Sequence, residues 1–307
     1  MPSRTLLEET ARGLVAEPKE LPSVWLYDAR GAELYEQITR LPEYYLPARE
    51  REILGARSTE IAELVPASTL VELGAGSANN VRLLLDALGS LERFVPLDVS
   101  EAAVETNATE IAAAYPALDV EPIAGDFERD LDLLPAGGPS LIAFLGSTMG
   151  NLTPARRSRF LAAVGGVLGL SDALLLGLDL VKDPARLEAA YNDTVGVTES
   201  FVRNALTAVN RELRTEFDHK LFDYEAAWDA DREWMDIGFR ARKRHHVPVE
   251  ALGLNVSFER GERLRVEISA KFRREQISEE ARRAGLRVDG WWTDPAWDFV
   301  VALLSSS

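Results

Sequence analysis

A chain of 307 residues with 46% hydrophobic content can fill one large core or two ordinary ones. A net charge of -16 opposes nucleic-acid phosphates, and the lack of cysteine removes disulfides, thiolate nucleophiles and zinc-thiolate centres. With His219, His245 and His246 as the only histidines, no metal centre is expected, and the chemistry must rest on oxygen groups, amides or a cofactor.

No apolar run approaches the roughly 20 residues that span a bilayer, and the start MPSRTLLEETARGLV lacks the apolar core of a secretory signal. A monomeric, cytoplasmic protein without membrane or nucleic-acid partners is therefore expected. The basic run Arg240-Ala-Arg-Lys-Arg-His-His246 reads as the solvated side of a strand on an acidic protein. Such a protein suits a small or cationic ligand.

In chain order, the stretch to about Pro47 carries Trp25, Tyr27, Tyr35, Tyr44 and Tyr45, fits no sheet pattern and is expected to cap a site. Short apolar runs of strand length follow: Thr69–Leu73, Arg93–Asp98, Leu118–Ile123, Ser140–Leu145 and Ala173–Leu178. Between them Val81–Leu88, Glu101–Tyr115 and Pro154–Val167 have apolar residues at three- and four-residue spacing. Five βα alternations predict a parallel sheet with helices on both faces. After Asp179 about ninety residues lose the alternation and gain aromatic and charged residues, as an inserted substrate domain would. The pattern resumes with a helix over Lys271–Ala284 closed by Gly285, then strands Leu286–Trp292 and Phe299–Leu304. The expected domains are 48–182 with 270–307 for a cofactor, and 1–47 with 183–269 for a substrate.

Gly74-Ala-Gly76 sits between a strand and a helix, where a glycine turn lets a ligand approach backbone N–H groups and a helix N-terminus. The third position of the dinucleotide fingerprint is Asn79, not glycine, which disfavours a pyrophosphate and suits S-adenosylmethionine. Asp98 closes the second strand about twenty residues on, where a carboxylate accepts ribose hydroxyls. Asp126-Phe127 follows the third strand and suits an adenine, the acid taking the exocyclic amine and the ring packing on the base. Singly, Asp98 is an ordinary strand end and Asp126 an ordinary helix cap. Together they arrive in order at three successive strand ends, where open α/β sheets bind ligands.

The fourth strand ends in Gly146-Ser-Thr-Met-Gly-Asn151, which offers hydroxyls and an uncharged amide. The Asn/Asp-Pro-Pro-Tyr/Phe tetrapeptide of amino-methylating DNA enzymes is absent here, and there is no cysteine for pyrimidine-C5 chemistry. Asn151 can both donate and accept, as a small zwitterion requires.

With Gly146–Asn151, Asp126-Phe127, Ile38–Tyr45 and Glu267–Phe272 in view, the chain resembles the ergothioneine-pathway histidine Nα-methyltransferases from Tyr27–Gly31 through Trp291–Asp294. The resemblance implies a Rossmann-like class I methyltransferase, a seven-stranded sheet with an inserted substrate-binding domain. It implies conversion of L-histidine to its trimethyl betaine, hercynine, with S-adenosylmethionine as donor. Cofactor contacts are implied at Tyr27, Gly74, Asn80, Asp98, Asp126, Phe127, Gly146 and Thr148. Asn151 and Tyr191 are implied to hold the amino-acid end of the substrate, with Tyr44, Glu267 and Ser269 around the imidazole and Ile237 lining the pocket. Glu267 and Ser269 are two apart and so face one side of an extended strand; by itself Glu267 reads as a solvated strand residue.

Two positions depart from that family, which commonly carries lysine at Asn80 and methionine at Ile237. The second bears on the acceptor. Another free amino acid such as tryptophan or tyrosine, a non-catalytic cofactor-binding regulator, and a nicotinamide-dependent dehydrogenase stay open as alternatives.

Overall fold

The computed structural model describes residues 3–75, 80–135 and 137–307. They form two compact units, one of Leu46–Val181 with Ala270–Ser307, the other of the residues up to Tyr45 with Lys182–Ser269.

The first unit is built on one sheet. Its strand order is Leu286–Thr293, Phe299–Ser306, Ala173–Asp179, Ser140–Phe144, Thr69–Leu73, Arg93–Asp98 and Asp119–Val120, with Ile123–Ala124 also on Arg93–Asp98. The five inner and edge pairings from Ala173 onward are parallel, and the two C-terminal strands pair antiparallel. Thr69–Leu73 and Ala173–Asp179 are buried along their whole length, as strands covered on both faces must be, which is why they read as continuous apolar runs. The third predicted strand is split into Asp119–Val120 and Ile123–Ala124. Pro122 lies in the gap and has no N–H to give to the ladder.

Helices Val81–Ala87, Glu101–Ala114 and Pro154–Val167 fall where periodicity puts them. Ser100 and Thr153 cap the latter two by accepting the N–H of Ala103 and Arg156. The helix expected over Lys271–Ala284 is shorter, Arg274–Arg283. Phe272 is extended instead, bridging Leu180, and its N–H donates to Asp179 O at 2.9 Å. Lys271 explains the difference: its ammonium pairs with Asp179 Oδ2 at 2.8 Å, with both side chains fully buried. A helix starting at Lys271 would forfeit that pair.

The second unit combines four α-helices, Arg4–Leu14, Ala29–Ile38, Pro184–Tyr191 and Val197–Leu213, with a four-stranded sheet. The sheet order is Lys19–Glu20, Arg263–Ala270, Trp234–Ala241, Phe222–Asp229. His245–Val249 and Leu254–Phe258 make a separate hairpin. Asp28 caps its helix through Gly31 N–H at 2.9 Å. A Cβ on Gly31 would stand 1.7 Å from Leu26 O, so only glycine admits that close approach. In the basic run, Arg240, Arg242 and Arg244 pair with Glu225, Asp223 and Glu259. The run is thus a partly neutralised surface.

Breaking a buried ion pair from one side leaves an uncompensated charge and costs about 3–5 kcal/mol. Lys271→Met should therefore lower unfolding free energy by about that amount in urea titrations, whereas Lys271→Met with Asp179→Leu should recover most of the loss.

Candidate active site

In the first unit, parallel pairing brings the predicted cofactor residues to one sheet edge. Leu73 registers with Leu97, and Asp98 with Ala124. Gly74 takes φ +73° and its N–H donates to Leu97 O at 2.8 Å, so the chain turns away from the sheet directly after the strand. Gly76, Ser77 and Asn79 of the glycine turn lie outside the described residues. Asn80 opens the following helix and donates through Nδ2 to Glu50 Oε2 at 2.7 Å. Asp98 accepts the Ser100 N–H at 2.8 Å, and burial raises its pKa against that bond. Asp126 accepts the Glu128 N–H at 3.0 Å as an Asx turn without an α-helix behind it; burial raises its pKa also. Phe127 leans on Phe144 and Phe160 with centroids 4.8 and 6.0 Å away.

After the fourth strand, Gly146 at φ +70° and Ser147 at φ +59° make two successive left-handed residues. A serine there is strained. Its Oγ is held by the Asp179 N–H at 3.0 Å, and the Gly146 N–H donates to Glu50 Oε1 at 2.7 Å. Thr148 Oγ1 donates to Leu145 O at 2.9 Å, and Asn151 closes the short helix Thr148–Asn151. A Cβ on Gly150 would meet Ala270 O at 2.8 Å, which fixes glycine in this segment.

Of the predicted acceptor residues, Asn151 belongs to the first unit and Tyr44, Tyr191, Ile237, Glu267 and Ser269 to the second, where several touch. Tyr191 donates its hydroxyl to Ser269 Oγ at 2.8 Å, and Tyr44 meets the Tyr191 ring edge-on at 6.0 Å. Tyr35 links Tyr44, at 6.5 Å, to Tyr27, at 5.9 Å, so Tyr27 stands at the far end of one aromatic chain. Tyr27 belongs to the second unit, and the other predicted cofactor residues belong to the first. Burial, with Tyr35, Tyr191 and Tyr27 nearby, pushes the Tyr44 hydroxyl well above the ordinary phenol range and keeps it a neutral donor. Glu267 is half-buried on the strand that carries Ser269. Ile237 is buried on the neighbouring strand opposite Ala226.

Three supporting groups escaped sequence reasoning. Tyr224 donates to Tyr191 O at 2.6 Å and so anchors the residue that holds Ser269. Glu50 joins Asn80 to Gly146 from a helix that carries no motif. Glu72, the acid inside an all-buried strand, was legible as an anomaly but drew no role. Its Oε2 is buried with no hydrogen-bond partner among the described residues, and burial raises its pKa to about 8. Glu50 is raised to about 7, again mainly by burial. An orphaned carboxylate oxygen beside a glycine turn fits a ligand carrying cationic or N–H donor groups, as S-adenosylmethionine does. No group of three or more histidine, cysteine or acidic side chains that could hold a metal is found among the described residues.

An open α/β sheet, parallel but for its C-terminal pair, with a glycine turn and acids at successive strand ends, is the architecture of the S-adenosylmethionine-dependent methyltransferases. A solved methyltransferase of that dependence from Clostridium acetobutylicum superposes with a TM-score of 0.52 over 89% of this chain and 99% of its own, at 12% identity, which shows the fold alone. A sequence profile described as histidine-specific methyltransferase, SAM-dependent, matches residues 6–306, and the chain belongs to that family. It is 47% identical to the histidine N-alpha-methyltransferase of Mycolicibacterium smegmatis, over 98% of this chain and 95% of that protein. The enzyme of that name from Mycobacterium tuberculosis is 48% identical over 97% and 94%. Among the described residues no helix is long and apolar enough to cross a membrane.

For Glu72 the raised pKa means that the neutral acid is the form folding favours. Its contribution is complete below about pH 4.5 and is lost as pH rises through about 8. Glu72→Gln should match the parent near pH 4.5 and exceed it progressively up to pH 8 by on the order of 1 kcal/mol per pH unit, measured by urea unfolding without cofactor. A constant difference across pH would contradict a titrating Glu72.

Proposed function

We propose that this chain transfers methyl groups from S-adenosylmethionine to the α-amine of L-histidine, giving Nα,Nα,Nα-trimethylhistidine, as a cytoplasmic, monomeric, metal-free enzyme of ergothioneine biosynthesis. The observation that carries this reading is near full-length identity of 47% to a histidine N-alpha-methyltransferase.

S-adenosylmethionine supplies a methyl group made electrophilic by its sulfonium. On the protein side, Gly74, Asn80, Asp98, Asp126, Phe127, Gly146, Thr148 and Tyr27 are the residues that would hold it. Asp98 and Asp126 are acceptors for hydroxyl and amine donors, and Gly74 and Gly146, both at positive φ, turn the chain at two strand ends without placing a side chain there. Asn151 and Tyr191 would hold the amino-acid end of histidine. Tyr44, Glu267 and Ser269 would surround the imidazole, and Ile237 would shape the pocket.

The tyrosine–serine hydrogen bond supports this division of labour. Tyr191 donates to Ser269 Oγ at 2.8 Å and so fixes the serine hydroxyl on the strand that also carries Glu267, whose carboxylate would accept a ring N–H. Tyr44 cannot act as base at neutral pH, since its proton is held tightly. Rate enhancement therefore rests on holding a neutral amine in line and excluding water, and the proton leaves through solvent.

Incubation with the twenty amino acids plus mono- and dimethylhistidine, followed by mass spectrometry, should yield the trimethyl product from histidine and both intermediates. No methylated histidine, or preference for tryptophan or tyrosine, overturns the substrate. Glu267→Ala should raise KM for histidine about 10- to 100-fold, the scale of a lost charge-assisted hydrogen bond, with affinity for S-adenosylhomocysteine unchanged in calorimetry.

A further inference from the structure

Glu50 lies on the helix Leu46–Leu64 and is 1% exposed. Its two carboxyl oxygens face two different segments, Oε1 taking the Gly146 N–H at 2.7 Å and Oε2 the Asn80 amide at 2.7 Å. Asn80 is itself oriented, since Arg51 Nε donates to its Oδ1 at 3.3 Å and its Nδ2 also reaches Pro47 O at 3.4 Å. The amide nitrogen is therefore the end aimed at Glu50. The sheet makes room for this arrangement: a Cβ on Gly177 would come within 1.9 Å of Glu50 Oε1.

Burying a carboxyl is costly, and an apolar side chain of similar size would fill a helix face at lower cost. The two bonds of Glu50 are spent on loop segments that leave the sheet edge, one after the first strand and one after the fourth. Gly146 precedes the strained Ser147, so its N–H direction sets the path of the turn through Asn151.

We propose that Glu50 is a positioning residue for cofactor binding: by joining Gly146 to Asn80 it sets these two contacts before the cofactor arrives. The proposal rests on the reading of Asn80 and Gly146 as cofactor contacts. Preorganised loops spare the ligand the cost of ordering them, so the loss on breaking the link falls on cofactor affinity more than on turnover.

The polarity of the link provides the test. In Glu50→Gln one amide group must face a donor, either Gly146 N–H or Asn80 Nδ2, while in Asn80→Asp two carboxyl groups face each other. Calorimetry with S-adenosylhomocysteine should show each single variant about 10-fold weaker or more, the scale of one unsatisfied buried group. Glu50→Gln with Asn80→Asp restores donor against acceptor and should regain most of that affinity. In kinetics the Glu50→Gln loss should appear in KM for the cofactor rather than in kcat at saturation. Glu50→Met, close in size and without a buried acid, keeps the question open to test if the amide variant folds poorly; it too should bind weakly at a melting temperature near that of the parent. Wild-type affinity in Glu50→Gln or Glu50→Met, or a double variant as weak as the sum of its parts, overturns the proposal. Asp98→Asn separates the two levels of inference. If it weakens binding while the Glu50 variants do not, Glu50 alone was misread; if Asp98→Asn and Asn80→Asp both bind normally, the cofactor site was misread and the proposal falls with it.

Discussion

Parallel register in the larger sheet is the constraint on which the candidate cofactor site depends. When Thr69–Leu73 pairs in parallel with Arg93–Asp98 and with Ser140–Phe144, the three C-terminal ends lie side by side, and whatever follows each strand is delivered to the same edge. Gly74, Asp98, Asp126 and Gly146 are neighbours in the fold for that reason, although none bonds directly to another. The ladder is made of backbone groups and tolerates wide sequence change. That is how a methyltransferase only 12% identical keeps a comparable fold.

The same edge concentrates buried acids, and the fold treats them in different ways. Asp179 is matched by Lys271 inside the core, a full counter-charge at hydrogen-bond distance. Glu50 is matched by two neutral donors, an amide and a backbone N–H, and burial lifts it to about 7. Glu72 has the least: Asn107 donates to it, one oxygen is without a described partner, and Glu50 and Asp98 repel its charge on top of a larger burial effect. Compensation thus falls off toward the glycine turn. The least satisfied carboxyl lies on the strand that leads into the glycine turn.

The second unit works by neutral hydrogen bonding. Tyr224 anchors the Tyr191 carbonyl, Tyr191 orients Ser269, and Tyr44 packs edge-on against Tyr191. Burial keeps the Tyr44 and Tyr224 hydroxyls protonated, so these tyrosines serve as fixed donors. A network of this kind can orient a small zwitterion without competing for its proton. It suits a reaction in which the substrate's own amine is the nucleophile.

Much of this protein was legible in its sequence because local rules act over short spans. Apolar runs bounded by turn residues marked the strands of the larger sheet to within one or two residues, and helix periods with Ser100 or Thr153 ahead of them marked two of its helices, while the elements of the second unit went unread. The strand-end motifs read as a cofactor site and Glu267 with Ser269 as an acceptor strand by family resemblance, and the proposed function rests on both readings. One misreading came from a non-local contact and one from a single proline. Lys271–Arg273 carried a helical pattern but is extended, because Lys271 pairs with Asp179 far away in the chain. Pro122 interrupts an edge strand whose apolar pattern runs through it. Glu50 lies in a stretch in which the sequence offered no motif, and only packing against Gly177, Gly146 and Asn80 gives it a role. Sequence by itself determined the order of elements in the first unit, the family, and which residues stand at the strand ends. Tertiary structure alone decided which polar groups are buried and what satisfies them, since burial and partnership are properties of surfaces that meet only once the chain has folded.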